Sequence, residues 1–413
     1  MSAYIDSALV EHHLMRLAEF GACHGTGVCR AVYTPEWVHA QQQYAAWCAA
    51  AGLHVRWDAV GNVWGRLAGE SNAPSIVTGS HVDSQLPGGR YDGALGVVGG
   101  LIAVMALKEQ YGVPARPLEC VSLCEEEGSR FPGTNFWGSR AVTGIARSSE
   151  ADVLVDEQGI TLAGAMRTVG LDSSHLAEAA RDDIGAFVEL HIEQGPLLEE
   201  AGLPVAIVTA ITGLRQYAVE LVGRSDHAGA APMDWRRDPM AGAAEIIQGV
   251  IQTAADRGRP AVTTVGRIEA RPGGSAIVPE SVLFTVDVRH PDPFALRELC
   301  AQHEALFAAV AARRGLALNV KRVLDLEPCP ADDHVRATLT SAADSVGVRT
   351  LQMHSGAGHD SQVMGKRYPM GMLFVQSKGG RSHTPAEYTT IEDAVAGITV
   401  LAEGLHRLAY AAS

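Results

Sequence analysis

The chain is poor in the features that mark disulfide-rich, nucleic-acid-binding or aromatic-rich proteins. It has seven cysteines in 413 residues, an odd and scattered set that indicates neither a disulfide framework nor a thiolate zinc site. Cys23, His24 and Cys29 lie close together, but the second pair of ligands that a zinc site needs is missing, so we expect a loop with buried thiols. Aromatic residues make up only 6% of the chain. Lys and Arg number 33 against 47 Asp and Glu, and this net charge of -14 argues against nucleic acid or an anionic membrane as a partner.

Long apolar runs are also scarce. The run from Gly93 to Leu107 ends at Lys108, and we expect it to be too short to span a bilayer. The segment 1–6 has neither a basic stretch nor an apolar core, so it does not predict a signal peptide. These features predict a cytoplasmic protein with reduced cysteines.

Buried strands that end in polar residues recur along the chain. Hydrophobic residues make up 47% of the sequence, and its length allows two or three domains with a sizeable core. In an α/β fold, functional sites collect at the carboxyl ends of the strands. We therefore predict an α/β domain with a mixed sheet, to which these strands belong: Ser75 to Ser80, Leu118 to Cys124, Phe187 to His191 and Gly371 to Val375.

A different order of helices and strands interrupts this pattern between residues 215 and 327. The order strand, helix, strand, strand, helix, strand predicts a ferredoxin-like α+β domain, and an exposed edge strand or helix face of it can pair with another copy. Candidate metal residues occur on both sides of this insertion. The first domain is therefore predicted to be discontinuous, with residues 1–214 and 328–413 forming the metal-binding catalytic domain and residues 215–327 forming the dimerisation or lid domain.

His81, Asp83 and Asp92 follow the first of these strands. If His81 binds a metal through one ring nitrogen, Asp83 can accept the proton of the other and fix the ring. Asp92 follows a flexible turn, which allows its carboxylate to lie between two ions. Imidazole and carboxylate ligands without thiolate are typical of metal ions that activate water, so the chain is predicted to be a hydrolase.

Three consecutive glutamates follow a second strand. A run of this kind is usually a solvated surface, but Glu125, Glu126 and Glu127 come directly after a buried strand, where their mutual repulsion is costly without cations. One of them can bind metal while its neighbour takes a proton from the activated water.

Two histidines in polar, glycine-flanked loops complete the candidate centre. His191 ends a strand, His383 lies between Gly380 and Glu387, and both positions favour function over a core role. Gly358, His359 and Asp360 form one more polar segment of the same kind.

Two residues of the inserted domain are further candidates. His227, from a lid or a partner subunit, can donate to a developing oxyanion. Arg289 can grip a substrate carboxylate, although an ordinary salt bridge explains it equally well.

Taken together, these segments resemble the M20 metallopeptidase clan, and within it the amidase, hydantoinase and carbamoylase subfamily. That subfamily includes N-carbamoyl-L-amino acid hydrolases, allantoate amidohydrolases and β-alanine synthases. The matching segments occur in the family's order over nearly the whole chain: 79–84, 89–93, 125–130, 189–196, 225–232 and 355–360.

The resemblance implies a role for each matching residue. It implies two divalent metal ions, zinc by default with manganese, cobalt or nickel as alternatives, and it implies a homodimer. Glu126 would be the general base, Asp83 an orienting residue and Asp92 the bridge between the metals. The remaining metal ligands would be His81 and His191 on one ion and Glu127 and His383 on the other. The residues expected at the substrate are Gln194, Arg289, Gly358, His359 and, across the dimer interface, His227.

One segment departs from the subfamily's pattern. Where the subfamily has asparagine, this chain has Ala276, and loss of a buried amide partner weakens binding of the group it held. We therefore predict an amidohydrolase that cleaves a ureido or related amide C–N bond on a small carboxylate, such as an N-carbamoyl-L-amino acid or allantoate. An aminoacylase or dipeptidase of the same clan and a non-catalytic binding protein are the alternatives.

Overall fold

The computed structural model describes residues 3–411, and its contacts divide the chain into two units. Unit 1 runs up to Thr209 and resumes at Pro330, and unit 2 is Ala210–Cys329. The strands are β1 (Ala22–Cys23), β2 (Gly27–Val28), β3 (His54–Trp57), β4 (Val63–Leu67), β5 (Ser75–His81), β6 (Leu118–Leu123), β7 (Ile184–Ile192), β8 (Val205–Ile211), β9 (Gly213–Val222), β10 (Asp226–His227), β11 (Val262–Thr264), β12 (Ile268–Arg271), β13 (Ile277–Val278), β14 (Ser281–His290), β15 (Ala317–Leu326), β16 (Cys329–Pro330), β17 (Thr350–Ser355) and β18 (Met370–Val375).

The helices cover the sheets that these strands form. They are α1 (Ser7–Glu19), α2 (Pro35–Ala50), α3 (Ala94–Tyr111), α4 (Trp137–Val142), α5 (Ser148–Val153), α6 (Leu162–Thr168), α7 (Leu197–Ala201), α8 (Pro239–Arg257), α9 (Pro293–Arg314), α10 (Asp333–Ser345), α11 (Asp360–Met364) and α12 (Ile391–Ala409), with short 3-10 turns at Ser173–Ala179, Met233–Trp235 and Lys378–Gly380.

Unit 1 is built on a mixed sheet. Its strand order is β16-β8-β18-β7-β5-β6-β4-β3, and β17 pairs with β8. The central pairs β18–β7, β7–β5 and β5–β6 are parallel, whereas β3–β4, β4–β6 and β18–β8 are antiparallel. The predicted mixed α/β architecture is confirmed. Because β5, β6, β7 and β18 are parallel neighbours, their carboxyl ends lie at one edge of the sheet.

Helix α3 lies in the core of unit 1 and makes close contact with the sheet. A Cβ atom at Gly96 would lie 2.2 Å from the carbonyl oxygen of Leu190, so only glycine permits this approach of α3 to β7. The expectation that this apolar run is too short for a membrane was wrong, because the helix has 18 residues and is apolar enough to cross one by length and composition. Most of the helix is nevertheless buried within the protein, as in the core helix of a globular fold.

Unit 2 is an antiparallel sheet packed against two helices. The strand order β15-β9-β14-β11, with β12 also pairing with β14, corresponds to the order 4-1-3-2 of a ferredoxin-like arrangement. Along β9 and β14 every second residue is buried, and these residues pack with α8 and α9 in a separate hydrophobic core. The second strand of the predicted order is divided into two short strands, β11 and β12.

Cys23 and Cys29 form a disulfide. Strands β1 and β2 pair as a short hairpin, which brings the two Cα atoms to 6.0 Å, within the range that a disulfide spans. The prediction that all the cysteines are reduced was wrong for this pair. The other five are buried thiols.

Candidate metal centre

The predicted ligands of unit 1 come together at the carboxyl edge of its sheet. His81 is the last residue of β5, His191 lies near the end of the parallel neighbour β7, and Glu127 follows β6. Asp92 precedes α3, and His383 lies in the loop after β18. All of these residues are buried except His383, whose side chain is 49% exposed, so the centre is open to solvent on the side of His383.

One group of side chains consists of His81, Asp92 and His191. Their ligand atoms all lie within 4.8 Å of one another, the spacing of residues that can hold a metal ion. Oδ1 of Asp92 lies 3.1 Å from Nε2 of His191 and 3.6 Å from Nε2 of His81. Each histidine therefore points its Nε2 atom at the same carboxylate oxygen.

A second group uses the other oxygen of Asp92. Oδ2 of Asp92 lies 3.4 Å from Nε2 of His383, which in turn lies 3.6 Å from Oε2 of Glu127. Oε1 of Glu127 is buried and has no hydrogen-bond partner. Asp92 is thus common to both groups, with one oxygen facing each.

Main-chain carbonyls fix the two buried histidine rings. Nδ1 of His81 lies 3.0 Å from the carbonyl oxygen of Asp83, and Nδ1 of His191 lies 2.9 Å from that of Ile192. In the neutral rings Nδ1 therefore carries the proton and Nε2 is left as the ligand atom. The amide of Gly93 donates to Nε2 of His191 at 3.2 Å, which agrees with this tautomer.

Asp83 contacts His81 differently from the prediction. Its carboxylate oxygen Oδ1 lies 3.9 Å from Nδ1 of His81, too far for a hydrogen bond. The other oxygen, Oδ2, accepts a hydrogen bond of 3.1 Å from the main-chain amide of Glu127. The side chain of Asp83 therefore anchors the glutamate segment, while its main-chain carbonyl orients His81.

Glu126 lies beside the first group. Its Oε2 atom is 3.7 Å from Nε2 of His81. Burial, followed by the charges of Glu127 and Asp360, raises the pKa of Glu126 well above its usual value. Burial and then the charge of Asp83 raise the pKa of Glu125 to about 8. Carboxylates crowded in this way are the environment that divalent cations relieve.

Without a cation at the centre, the neighbouring carboxylates favour the protonated form of the imidazoles; the neutral rings described above are the forms that can bind metal. Burial is the largest single influence on His191 and lowers its pKa, but the hydrogen bond to Asp92 and the charges of Asp92 and Glu189 together raise that pKa to about 9. The hydrogen bond to Asp92 is also the main reason that the pKa of His383 rises to about 9. Nitrogen and carboxylate donors, two ligand groups that share Asp92, and the unpartnered buried oxygen of Glu127 therefore fit divalent metal binding.

Two residues predicted to bind substrate lie against this centre. Nε2 of Gln194 donates a hydrogen bond of 2.8 Å to Oδ2 of Asp92, so this side chain is held by a predicted ligand. His359 is buried with its ring centroid 4.6 Å from that of His191, and its Nε2 atom lies 2.9 Å from the hydroxyl of Ser355. Burial, followed by the charge of His191, holds the pKa of His359 well below its usual value, so the ring is neutral.

Sequence reasoning missed two buried carboxylates near the centre. Glu189 on β7 accepts a hydrogen bond of 2.7 Å from the hydroxyl of Ser80 on β5 and one of 2.9 Å from the main-chain amide of Ser361 in α11. These two bonds join the three elements to one another. Glu387 accepts from the main-chain amides of Tyr91 and Asp92. Glu189 lies next to Leu190 and His191 in a recognised segment, and Glu387 closes the segment that contains His383, but the pattern gave neither residue a partner.

Gly358 precedes His359 in unit 1, whereas His227, Ala276 and Arg289 belong to unit 2. Nδ1 of His227 accepts hydrogen bonds of 3.1 Å from the amides of Gly229 and Ala230, and the histidine is exposed. The amide of Ala228 donates to the carbonyl of Ala276 at 2.9 Å, so these two loops run side by side. Ala228, but neither His227 nor Ala276, lines a cavity of about 380 Å³ together with Arg236, Asp238, Met240, Gly273, Gly274, Ser275 and 277–279.

Arg289 is engaged within unit 2. Its Nε atom donates to Oδ1 of Asp287 at 2.8 Å, as the salt-bridge interpretation expects, and Asp287 also accepts from Gln216 at 2.9 Å. A substrate carboxylate would have to share Arg289 with this aspartate.

Known proteins resemble this chain over its whole length. The model of Peptidase family M20/M25/M40 matches residues 78–407. An allantoate amidohydrolase of Bacillus subtilis is 42% identical, over 95% of this chain and 96% of its own. An N-carbamoyl-L-amino-acid amidohydrolase of Paenarthrobacter aurescens is 38% identical over 95% of each chain. The crystal structure of an amidase of the hydantoinase/carbamoylase family from Burkholderia multivorans, 32% identical, superposes with a TM-score of 0.92 over the full length of both chains. This chain belongs to peptidase family M20/M25/M40.

Proposed function

We propose that this protein is a dinuclear metal-dependent amidohydrolase that cleaves the C–N bond of a ureido group on a small carboxylate. The observation that carries the proposal is the position of Asp92 between two groups of ligand atoms, with Glu126 beside them. The relatives named as allantoate and N-carbamoyl-L-amino-acid amidohydrolases support the substrate class. Either kind of compound carries a ureido nitrogen and a carboxylate.

The ligand set supports two divalent cations. His81 and His191 would hold one, Glu127 and His383 the other, and Asp92 would bridge them. Zinc is the default, and manganese, cobalt and nickel are alternatives because nitrogen and oxygen donors accept all of them. When bound, the ions would supply Lewis-acid activation of water and of the scissile carbonyl.

Glu126 is proposed to move the proton. As the water oxygen bonds to the carbonyl carbon, Glu126 takes a proton from that water and then delivers it to the nitrogen whose bond to carbon breaks. Asp83 supports Glu126 indirectly, since it anchors the main chain of the next residue.

His227 is proposed to donate to the developing oxyanion from unit 2. With Nδ1 accepting from two main-chain amides, the proton of the neutral ring lies on Nε2. The ring would therefore act as a hydrogen-bond donor. Arg289 would bind the substrate carboxylate, Gln194 and the loop of Gly358 and His359 would line the pocket, and Ala276 leaves a group of the substrate without the usual amide partner.

Unit 2 is also proposed to act as the lid and to form a homodimer. Strand β11 lies at the edge of its sheet, and a neighbouring copy can add to such an edge. Large apolar side chains are exposed in the same unit, which is unusual for a surface that stays in water: Met233, Trp235, Phe294, Val262 and Ile268. We further propose a cytoplasmic location, with small molecules as the substrates.

A substrate panel tests the proposal. Metal-reconstituted protein is incubated with N-carbamoyl-L-amino acids, allantoate, N-acyl amino acids and dipeptides, and ammonia and free amino acid are measured. Release of ammonia from a ureido substrate is the expected result. Turnover of N-acyl amino acids or dipeptides alone would make the protein an aminoacylase or dipeptidase. If no compound is hydrolysed while one still binds tightly, the protein is a binding protein. Ala276→Asn, assayed in parallel, reports which substrate regains affinity.

A further inference from the structure

Glu387 is a buried carboxylate next to the centre that is not one of the proposed ligands. It is 3% exposed and follows His383 in a turn, where its amide donates to the carbonyl of Thr384 at 3.0 Å. Its Oε1 atom accepts two hydrogen bonds, from the main-chain amide of Tyr91 at 2.8 Å and from that of Asp92 at 3.0 Å. One oxygen therefore fixes the backbone of the residue that is shared by both ligand groups.

The other oxygen of Glu387 reaches the side chain of Asp92 through Ser382. The hydroxyl of Ser382 lies 3.0 Å from Oε2 of Glu387 and 2.7 Å from Oδ2 of Asp92. Glu387 thus contacts the main-chain amide of Asp92 directly and reaches the carboxylate of Asp92 through Ser382. The same contacts tie the loop of Asp92 to the loop of His383, and these two loops supply two of the three residues of the second ligand group.

The surrounding main chain packs closely against the carboxylate of Glu387. A Cβ atom at Gly89 would lie 2.1 Å from Cδ of Glu387, so the main chain of Gly89 packs directly against it. Among the ion pairs of residues 3–411, none involves Glu387. Burying a carboxylate without a cation costs stability. The two main-chain amide donors, together with a Ser382 hydroxyl proton for which Asp92 competes, offset only part of that cost. A carboxylate buried at such a cost, with its hydrogen bonds directed to the loop of Asp92, points to a role at the centre.

We infer that Glu387 is a positioning residue that holds Asp92 between the two ligand groups and fixes the position of His383 relative to Asp92. The inference rests on the proposed metal centre but not on the identity of the substrate. Glu387 does not contact the reacting atoms. Its effect passes through Asp92 and is therefore strongest on the second group, which consists of Asp92, Glu127 and His383.

Metal affinity measured without substrate tests this inference. Apo protein is titrated with Zn²⁺ in competition with a chelating dye. Glu387→Ala is expected to weaken the second Zn²⁺ site by about 10- to 100-fold, as for other residues that orient metal ligands. With saturating Zn²⁺ it is expected to lower kcat and leave KM unchanged. Glu387→Gln, whose amide oxygen still accepts from the two main-chain amides, is expected to restore the affinity to within about 3-fold of the wild-type value.

Two further variants separate this role from a general loss of stability. Asp156→Ala removes another buried carboxylate that accepts from two main-chain amides, those of Gln158 and Ile160, and it should leave Zn²⁺ affinity unchanged. Gly89→Ala displaces the Glu387 carboxylate without removing it and should reproduce the defect, even if Glu387→Ala does not fold.

Three results would overturn the inference: wild-type Zn²⁺ affinity in both Glu387→Ala and Gly89→Ala, an equal loss in Asp156→Ala, or a loss in Glu387→Gln as large as that in Glu387→Ala. Because Zn²⁺ binding is read without substrate, failure here is distinct from failure of the proposed reaction, which the substrate panel alone reports.

Discussion

Oε2 of Glu126 lies 3.7 Å from Nε2 of His81, so the carboxylate that is not a predicted ligand borders the first ligand group. Glu126→Gln keeps the shape of the side chain but cannot accept a proton. Loss of a general base typically costs about 100- to 10,000-fold in rate, and we expect kcat to fall by that amount. Metal content, measured by inductively coupled plasma mass spectrometry, is expected to stay at the wild-type level.

Asp156→Asn is the matched control for this variant. It neutralises another buried carboxylate of unit 1, whose ion-pair partner is Arg130, and it is expected to leave kcat within about 3-fold of wild type since Asp156 has no proposed role in the reaction. A fully active Glu126→Gln enzyme would refute the assigned base.

Asp92→Asn tests the shared carboxylate. An amide offers one oxygen and one NH₂ group, so it cannot present an oxygen to both ligand groups. We expect the variant to lose at least one metal ion per chain and at least about 100-fold in kcat, since two-metal chemistry needs both ions. Metal content after dialysis and kcat are measured together. Retention of two ions with normal turnover would exclude Asp92 as the bridge.

The sequence predicted that the ligand candidates would converge, because each lies at a strand end or in the loop that follows. Parallel strands bring such positions to one edge, so His81, His191 and Glu127 could be expected to meet. The contacts among neighbours could not be read from the pattern. Which atom of Asp83 faces His81 depends on the turn after β5, and Glu387 acquires its partners through a loop that returns from almost 300 residues away.

The cysteine prediction failed for a related reason. Six positions separate Cys23 and Cys29, and only the turn between β1 and β2 decides whether their sulfur atoms meet. Composition and compartment predict reduced thiols on average. They carry no information about a local hairpin.

Thiol titration checks the disulfide. Unfolded in denaturant without reductant, the protein is expected to show five reactive thiols, and after reduction seven, because Cys23 and Cys29 are joined. Ellman's reagent measures both numbers. Seven thiols without reductant would mean that the pair is reduced in the purified protein.

His303 predicts a pH dependence of stability in unit 2. It is fully buried, its Nε2 atom lies 3.0 Å from the hydroxyl of Thr263, and burial lowers its pKa to about 4 from an ordinary 6.5. Between these values the unfolded chain binds the proton and the folded chain does not. The contribution of His303 to the free energy of unfolding is therefore fully present above pH 6.5. It decreases as pH falls towards 4, by up to about 3 kcal/mol.

Urea unfolding at pH 7 and pH 4.5 measures this loss. His303→Gln keeps a polar partner for Thr263 but does not titrate, so its stability should change less between the two pH values than that of the wild type. Equal pH dependence in the two proteins would show that His303 is not responsible.

Variants of His227 distinguish a hydrogen-bond donor from a proton-transfer group. Nδ1 of His227 accepts from the amides of Gly229 and Ala230, which leaves Nε2–H as the donor. Glutamine places an amide NH₂ near the position of Nε2, whereas the shorter asparagine reaches only the position of Nδ1, where its amide oxygen can accept from the two main-chain amides but no donor is left near Nε2. Loss of one oxyanion donor typically costs about 100- to 1,000-fold in kcat, and we expect that loss in His227→Asn and a smaller one in His227→Gln. The comparison is made on metal-saturated protein with the ureido substrate turned over fastest. Equal losses in both variants would mean that proton transfer by the ring, rather than donation from Nε2, is what the reaction requires.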